Sequence, residues 1–404
     1  MARQEPVFFQ SRKGDRLAAR FDEPVGPRRG LAIFAHCFTC SKDLFAARRI
    51  AAGLARNGIG VLRFDFTGLG HSEGEFGNSG FTSNVDDLVA AADWLSENHG
   101  PADILVGHSL GGAAVLAAAG QIASVKGVAA IGAPADPAHV THVLQDSRDQ
   151  IEAKGCATVS IGGRNFDICK TFLDDLDIQG QRDAIASLRR DLLVLHSPVD
   201  AIVGIENAGD IFQAAKHPKS FISLDRADHL LSKPRDAAFA ADMISAWASR
   251  LVPEMQDVPV EEGHVIVEPL GSGLFPHLVA ASGHTIIADE PQSVGGSDTG
   301  LTPYQLLLAG LGACTSMTMR MYAQRKGWPA EHIRVDLTHA KKYLDDCQGC
   351  EDNPVKIDLI ERTIALGDDL NEEQRARLME IADKCPVHRT LESDIRIVTT
   401  RSDE

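Results

Sequence analysis

At roughly 100–200 residues per domain, the 404 residues suggest two domains or one large one. The balance of 44% hydrophobic and 24% charged residues is that of ordinary globular chains, not of disordered or fibrous ones. A formal net charge of −16 argues against nucleic acid or an anionic membrane as partner.

The acid is uneven. Residues 256–404 hold 14 Lys and Arg against 25 Asp and Glu, and neither Lys nor Arg occurs between Arg250 and Arg320. Met1–Arg16 is polar and lacks the apolar core of a secretory leader. No stretch approaches the ~20 apolar residues of a spanning helix. Eight cysteines are scattered along the chain rather than arrayed as in a small disulfide framework, so the expected location is a reducing cytoplasm.

Val7–Phe21 reads as a hairpin turned at Gly14-Asp15. Short apolar runs follow at Leu31–His36, Ile59–Phe64, Ile104–Gly107, Gly127–Ile131, Leu192–His196 and Ser220–Leu224. Helical patterns at Phe45–Asn57, Ser83–Asn98, Leu110–Ala119, Glu206–Ala215 and Pro234–Arg250 alternate with them, as β-α units on a parallel sheet do. The alternation stops between Pro134 and Ser187, a polar, partly helical stretch too long for a plain loop and read as a cap. These features predict an α/β domain over residues 1–252 and a linker over 253–263, marked by Pro253, Pro259 and Glu261-Glu262.

Residues 264–404 read differently, as α+β. Val265–Val267 and Leu278–Ala288 are expected strands, and a Gly-rich loop, Gly295–Gly300, precedes an apolar helix from Pro303 to Gln324. Strands are expected at His332–Leu344 and Val355–Leu366. A helix over Asn371–Lys384 follows, with Asn371 and Gln374 at capping-box spacing, and Ile395–Thr400 is the last expected strand.

Gly107-His108-Ser109-Leu110-Gly111 fits G-x-S-x-G between a strand and a helix, where glycines permit the sharp turn that projects a serine hydroxyl. A serine nucleophile needs a base, and the base an orienting acid. Asp200 and His229 each follow an expected strand, in the order Ser, Asp, His. Asp228, adjacent to His229, is the alternative acid; His108 and His196 read as packing or supporting histidines. Cys37 and Cys40 form a C-x-x-C read as small packing residues, with a redox role as the other reading.

These residues resemble the α/β-hydrolase superfamily over about residues 5–250. Asp65-Phe66-Thr67-Gly68-Leu69-Gly70-His71-Ser72 is similar to that family's D-x-x-G-x-G-x-S loop, and His36-Cys37-Phe38 to its His-Gly-x turn, with Cys37 in place of Gly. The resemblance implies an α/β-hydrolase fold with backbone amides of Phe38 and Leu110 as the oxyanion hole. It implies a carboxylesterase on small acyl esters, or an acyltransferase using the same triad. A serine nucleophile argues against haloalkane dehalogenase chemistry.

In the C-terminal half, Thr302-Pro303-Tyr304-Gln305 through Gly312-Ala313-Cys314, and then Cys385-Pro386-Val387-His388, resemble OsmC-like proteins over about residues 260–400. The resemblance implies an intertwined homodimer that reduces organic hydroperoxides. Cys314 would attack the peroxide, Cys385 would resolve it as a disulfide, and an external dithiol would reduce the pair. Family members activate the first thiol with an Arg held by a Glu; here Tyr304 and Gln305 stand in the Glu region, and the Arg-free stretch leaves Arg320, Arg389, His277 or His284 as substitutes. The alternative is a non-catalytic dimerisation or ligand-binding module. Cys347 and Cys350, in an acidic C-x-x-C, read as a surface turn or disulfide, with His339 as a possible third metal ligand. No cofactor is expected.

Overall fold

The computed structural model describes residues 4–24, 26–37, 40–75, 80–137, 145–161, 164–178, 180–254, 258–270, 273–343 and 356–402. The chain divides into two compact units, Met1–Gly273 with Ala280–Thr285, and Leu274–Val279 with Ile286–Glu404.

In the first unit, β1 (Gln4–Gln10) and β2 (Arg16–Asp22) form the expected hairpin, with Gln10 opposite Arg16. There follow β3 (Gly30–Ala35), α1 (Phe45–Arg56), β4 (Ile59–Phe64), α2 (Gly80–Asn98), β5 (Ile104–His108), α3 (Leu110–Ala118) and β6 (Gly127–Ile131). The cap region holds α4 (Gln145–Lys154), β7 (Cys156–Ile161), β8 (Arg164–Cys169), α5 (Lys170–Ile178) and α6 (Gln181–Ala186). The chain returns through β9 (Asp191–His196), α7 (Glu206–Ala214), β10 (Lys219–Ser223) and α8 (Pro234–Ala248).

Eight strands form one mixed sheet in the order β1-β2-β4-β3-β5-β6-β9-β10, parallel from β4 to β10. The central strands are buried on both faces, which explains their unbroken apolar runs. One face packs Leu88, Val115 and Leu116 of α2 and α3 with cap residues such as Phe172; the other packs Ile50 and Leu54 of α1 with Ile244 and Trp247 of α8. Parallel strands bring all their carboxyl ends to one edge, where loops assemble a site.

The cysteine reading needs correcting. Cys37 and Cys40 are joined in a disulfide, not packed as free thiols, because a tight turn brings their Cα atoms to 5.3 Å. Cys156 and Cys169 are direct partners across the β7–β8 hairpin and form a second disulfide.

In the second part of the chain, β11 (Ile266–Pro269), β12 (His277–Ala281) and β13 (His284–Ala288) form a three-stranded sheet. The run expected as one strand is two, because Ser282 and Gly283 both take positive φ (48° and 77°) in a two-residue hairpin turn. Then come α9 (Pro303–Lys326), β14 (Ile333–Tyr343), β15 (Lys356–Leu366), α10 (Glu372–Ala382) and α11 (Pro386–Leu391). Asn371 and Gln374 close the expected capping box on α10, and Thr302 and Gln305 close another on α9. Met319, Ala323, Leu378 and Ile381 form the core between α9 and α10. The strand expected over Ile395–Thr400 is absent: 394–402 takes no regular secondary structure, and Ile397 is 86% exposed. Among the described residues no helix is long and apolar enough to cross a membrane.

On α2, the buried Asp87 carboxylate accepts hydrogen bonds from Thr67 N (2.8 Å) and Thr67 Oγ1 (3.0 Å), tying the Asp65–Ser72 loop to the helix. Burial is the largest influence on this carboxyl; with Asp86 and Asp15 it outweighs the Thr67 bonds and pushes the pKa up to about 6. Because the folded value exceeds the unfolded value of about 4, the group's contribution to stability is whole below about pH 4. It is lost as the pH rises through about 6. Asp87→Asn is therefore expected to be more stable relative to wild type at pH 8 than at pH 4, by roughly 1–3 kcal/mol in urea unfolding. An equal difference at both pH values contradicts this titration.

Candidate functional sites in the two units

Ser109 sits between β5 and α3 at φ 56° and ψ −123°, a conformation that L-residues rarely adopt. The strain is held from both sides. Ser109 N donates to Ile131 O (2.8 Å), and Ser109 O accepts from Gly112 N (2.8 Å). Glycine is obligatory around the turn: a Cβ on Gly107 would strike the Gly111 carbonyl, and one on Gly111 would strike the carbonyls of Ala35 and His36.

His229, on the loop after β10, places Nε2 3.0 Å from Ser109 Oγ and Nδ1 2.7 Å from Asp200 Oδ2. Ser109 is 8% exposed, so the hydroxyl is screened from bulk water. Asp200 follows β9, and its other oxygen accepts from Ile202 N (2.9 Å) and Val203 N (3.0 Å). Burial pushes the Asp200 carboxyl up, but the bond from His229 and those backbone amides outweigh it and hold the pKa below the usual range. Asp228 does not face the imidazole: it accepts from Leu230 N, Ser232 N and Ser232 Oγ within its own turn.

Two other histidines support the loops. His108 donates Nε2–H to His229 O (2.7 Å); burial and the neighbouring His229 push its pKa down to about 3, so the ring stays neutral. His196 donates Nε2–H to Val203 O (2.8 Å), behind Asp200. Leu110 is the first residue of α3, where a helix leaves its N–H without an intrahelical acceptor. Phe38 lies outside the described residues.

No motif pairs the members of the buried charge chain around Lys42. Lys42 donates N and Nζ, both at 2.6 Å, to the fully buried Asp65. Asp65 also accepts from His71 N (2.9 Å), and its carbonyl accepts from Ser72 Oγ (2.6 Å). Burial raises the Asp65 pKa, yet the Lys42 bonds outweigh it and keep the carboxyl below its ordinary value. Fully buried Arg63 pairs with Asp22 (2.6 Å) and donates to Lys42 O. His36, kept neutral by burial, donates Nδ1–H to Cys37 O (2.8 Å).

In the second unit, Cys314 lies on α9, half-buried, and Cys385 caps α11, fully buried. The fold brings the two together: Cys314 and Thr315 lie beside the Cys385 thiol, which accepts from His388 N (3.4 Å). Burial raises the Cys385 thiol, but these contacts outweigh it and hold the pKa below the ordinary range. The arginine that reaches this cluster is Arg362 of β15, outside the substitutes named from sequence. It donates to Thr315 Oγ1 (3.1 Å), Ala382 O (3.3 Å) and Asp383 Oδ1 (2.6 Å).

His339 stacks on Tyr304 (ring centroids 4.3 Å apart) and meets Asp358 Oδ1 through Nε2 (2.8 Å). Cys347 and Cys350 lie outside the described residues. Among the described residues no group of three or more His, Cys, Asp or Glu is placed to hold a metal.

Comparison with known proteins agrees with this division. Residues 32–295 match the family model described as alpha/beta hydrolase family, and residues 295–400 that of OsmC-like protein. The esterase domain of a Rhodothermus marinus protein is 49% identical with a TM-score of 0.51, over 61% of this chain and 98% of that one. The ferulic-acid-bound Est1E of Butyrivibrio proteoclasticus, at 17% identity and a TM-score of 0.53 over 61% of this chain and 98% of that one, shares the fold. The uncharacterized protein YfhR of Salmonella typhimurium is 24% identical over 57% of this chain and 75% of its own length. The chain belongs to the alpha/beta hydrolase family, with an OsmC-like region following the hydrolase region.

Proposed function

We propose that the first unit is a serine hydrolase that cleaves carboxylic esters of small acyl groups. The observation that carries this reading is the continuous hydrogen-bond chain from Ser109 Oγ through His229 to Asp200. Ser109 attacks the ester carbonyl while His229 Nε2 takes the hydroxyl proton. Asp200 orients the ring and stabilises the imidazolium, and His229 then protonates the leaving alcohol. The developing oxyanion is received by the Leu110 amide at the head of α3 and, by sequence position, that of Phe38. Esters are favoured because the Rhodothermus relative at 49% identity is an esterase domain.

Ser109→Ala is expected to lower kcat/KM for p-nitrophenyl acetate by about 10³-fold or more and to abolish labelling by a fluorophosphonate probe. Asp200→Asn, which leaves the imidazole in the wrong tautomer, is expected to cost about 10³–10⁴-fold in kcat. Unchanged turnover in the Ser109 variant removes this reading.

The second unit is proposed to reduce organic hydroperoxides. The half-buried Cys314 is the accessible sulfur; its thiolate takes the terminal peroxide oxygen, releasing the alcohol and leaving a sulfenic acid. Cys385 attacks that sulfur, expelling water and forming the Cys314–Cys385 disulfide, which an external dithiol returns to two thiols. Arg362, held to Thr315 beside Cys385, is the nearby positive charge. One equivalent of cumene hydroperoxide is expected to form the Cys314–Cys385 disulfide in wild type and not in Cys314→Ser. Arg362→Met is expected to raise the pH midpoint of thiol alkylation by about one unit, with Arg362→Lys retaining part of the wild-type value. Thiols left unchanged by the peroxide demote the unit to a binding or dimerisation module.

A homodimer through this unit completes the proposal. In this unit Met317 and Met321 on α9, and Ile397 and Val398 near the C-terminus, are exposed apolar side chains that a second copy would cover. Sedimentation velocity is expected to show a dimer that Met317→Glu with Met321→Glu converts to monomer; a monomeric wild type contradicts it.

A further inference from the structure

We infer that His108 is a positioning residue for the hydrolase reaction: its ring N–H holds the main chain of His229 where the base can reach Ser109, and that hold sets kcat. The inference rests on the serine-hydrolase reading and adds a residue to its machinery.

The base stands on a strained loop. Asp225 and Leu231, on either side of His229, both take left-handed backbone (φ 47° and 51°) that residues with side chains rarely adopt. The turn that carries His229 is knit to itself. Leu231 N donates to Asp228 O (3.0 Å), and the Asp228 carboxylate accepts from Leu230 N, Ser232 N and Ser232 Oγ. Those bonds fix the turn's shape but not its place. Its place is set by Ala227 and Leu231, buried in the core shared with α1 and α8, and by one hydrogen bond, His108 Nε2–H to His229 O (2.7 Å). Among the described residues no other hydrogen bond reaches the His229 main chain.

The hold is stiff at its other end. His108 is the buried last residue of β5, opposite Ile131 of β6, and Ser109 is next in the chain. The nucleophile and the grip on its base are therefore consecutive residues at one strand end. A shift of the His229 main chain changes the 3.0 Å approach of Nε2 to Ser109 Oγ directly. Packing alone does not account for a histidine here. Its Nδ1 is buried without a hydrogen-bond partner among the described residues, a cost that an apolar ring of the same size would not carry. What the imidazole has and the apolar ring lacks is the Nε2 donor. Burial and the nearby His229 keep the ring neutral, so it puts no charge beside the imidazolium that forms on His229. A displaced base costs turnover more than binding, because proton transfer needs the aligned geometry and ground-state contacts with the substrate do not.

The test compares three variants of the full chain in p-nitrophenyl acetate hydrolysis, with urea unfolding to follow the folded state. His108→Leu removes the donor, His108→Phe keeps a ring without it, and His108→Gln places an amide N–H near the position of the imidazole Nε2. The first two are expected to lose about tenfold or more in kcat with KM within about twofold, and His108→Gln to return to within about threefold of wild type. The low-field proton resonance of the His229–Asp200 hydrogen bond is expected in wild type and His108→Gln, and to be broadened or absent in the other two. A ring that only fills space would leave that resonance in place. Folded Leu and Phe variants with kcat within about twofold of wild type overturn the inference. So does a Gln variant as slow as the Leu variant, and so does loss of the folded state in both Leu and Phe variants, which assigns the ring to folding. Each of these leaves the hydrolase reading standing, whereas wild type without Ser109-dependent turnover overturns the two together.

Discussion

The hydrolase unit is organised around one strained residue. Ser109 is held in a conformation unfavourable by about 1–3 kcal/mol, and everything that holds it there also builds the site. The turn needs β5 and α3 to meet at an acute angle, which only glycines at 107 and 111 permit. That meeting puts the start of α3 directly after Ser109 and presses Gly111 onto the end of β3. The loop after β3 is therefore coupled to the nucleophile by backbone contact, not through side chains that can repack. The Ser109–His229–Asp200 chain closes on the same edge because β5, β9 and β10 are parallel and deliver their loops to one side.

A second constraint is electrostatic. Arg63, Asp22, Asp65 and nearly all of Lys42 are removed from water within a few residues of the site. Burying an unpaired charge costs several kcal/mol, so the arrangement persists only because each charge is paired and further hydrogen-bonded. Asp65 has two lysine bonds and a backbone amide; Arg63 has Asp22 and a carbonyl. Such a cluster adds little net stability over an apolar one, but it tolerates few alternative geometries. It fixes where the Asp65–Ser72 loop meets Lys42.

What was legible in the sequence was what local pattern encodes. Buried parallel strands read as apolar runs, capping boxes as Asn371 with Gln374, and the elbow as glycines around Ser109. What escaped depends on register or on long-range approach. Cys156 and Cys169 become partners only when β7 and β8 pair with 156 opposite 169. Lys42 with Asp65 and Arg362 with Thr315 join positions 23 and 47 residues apart, and neither pair has a motif. The hairpin at Ser282-Gly283 was hidden inside one apolar run, and Ile395–Thr400 alternates like a strand yet joins no sheet. A strand pattern reports that one face seeks burial; it does not say which edge supplies the partner.

The thiol pair of the second unit shows how one fold divides two chemical demands between like residues. Under the proposed peroxide reaction the sulfur that meets the oxidant must be reachable, and the sulfur that closes the disulfide must be near its partner and ionisable when needed. Accessibility and thiolate stabilisation pull apart, because contact with solvent comes at the expense of contacts with fixed donors. Here Cys314, half-buried on α9, has the access, and Cys385, fully buried at the start of α11, has the fixed donor, an amide from His388, with Cys314 and Thr315 beside it. Arg362 reaches the pair only through Thr315, so its charge acts over a longer path than a direct ion pair and shifts the thiols less. The acidity of Cys385 therefore depends mainly on contacts made by α9 and α11, and so on the packing that holds those helices together. In this unit the thiol chemistry and the stability of the small core around Met319 and Leu378 draw on the same helix, α9.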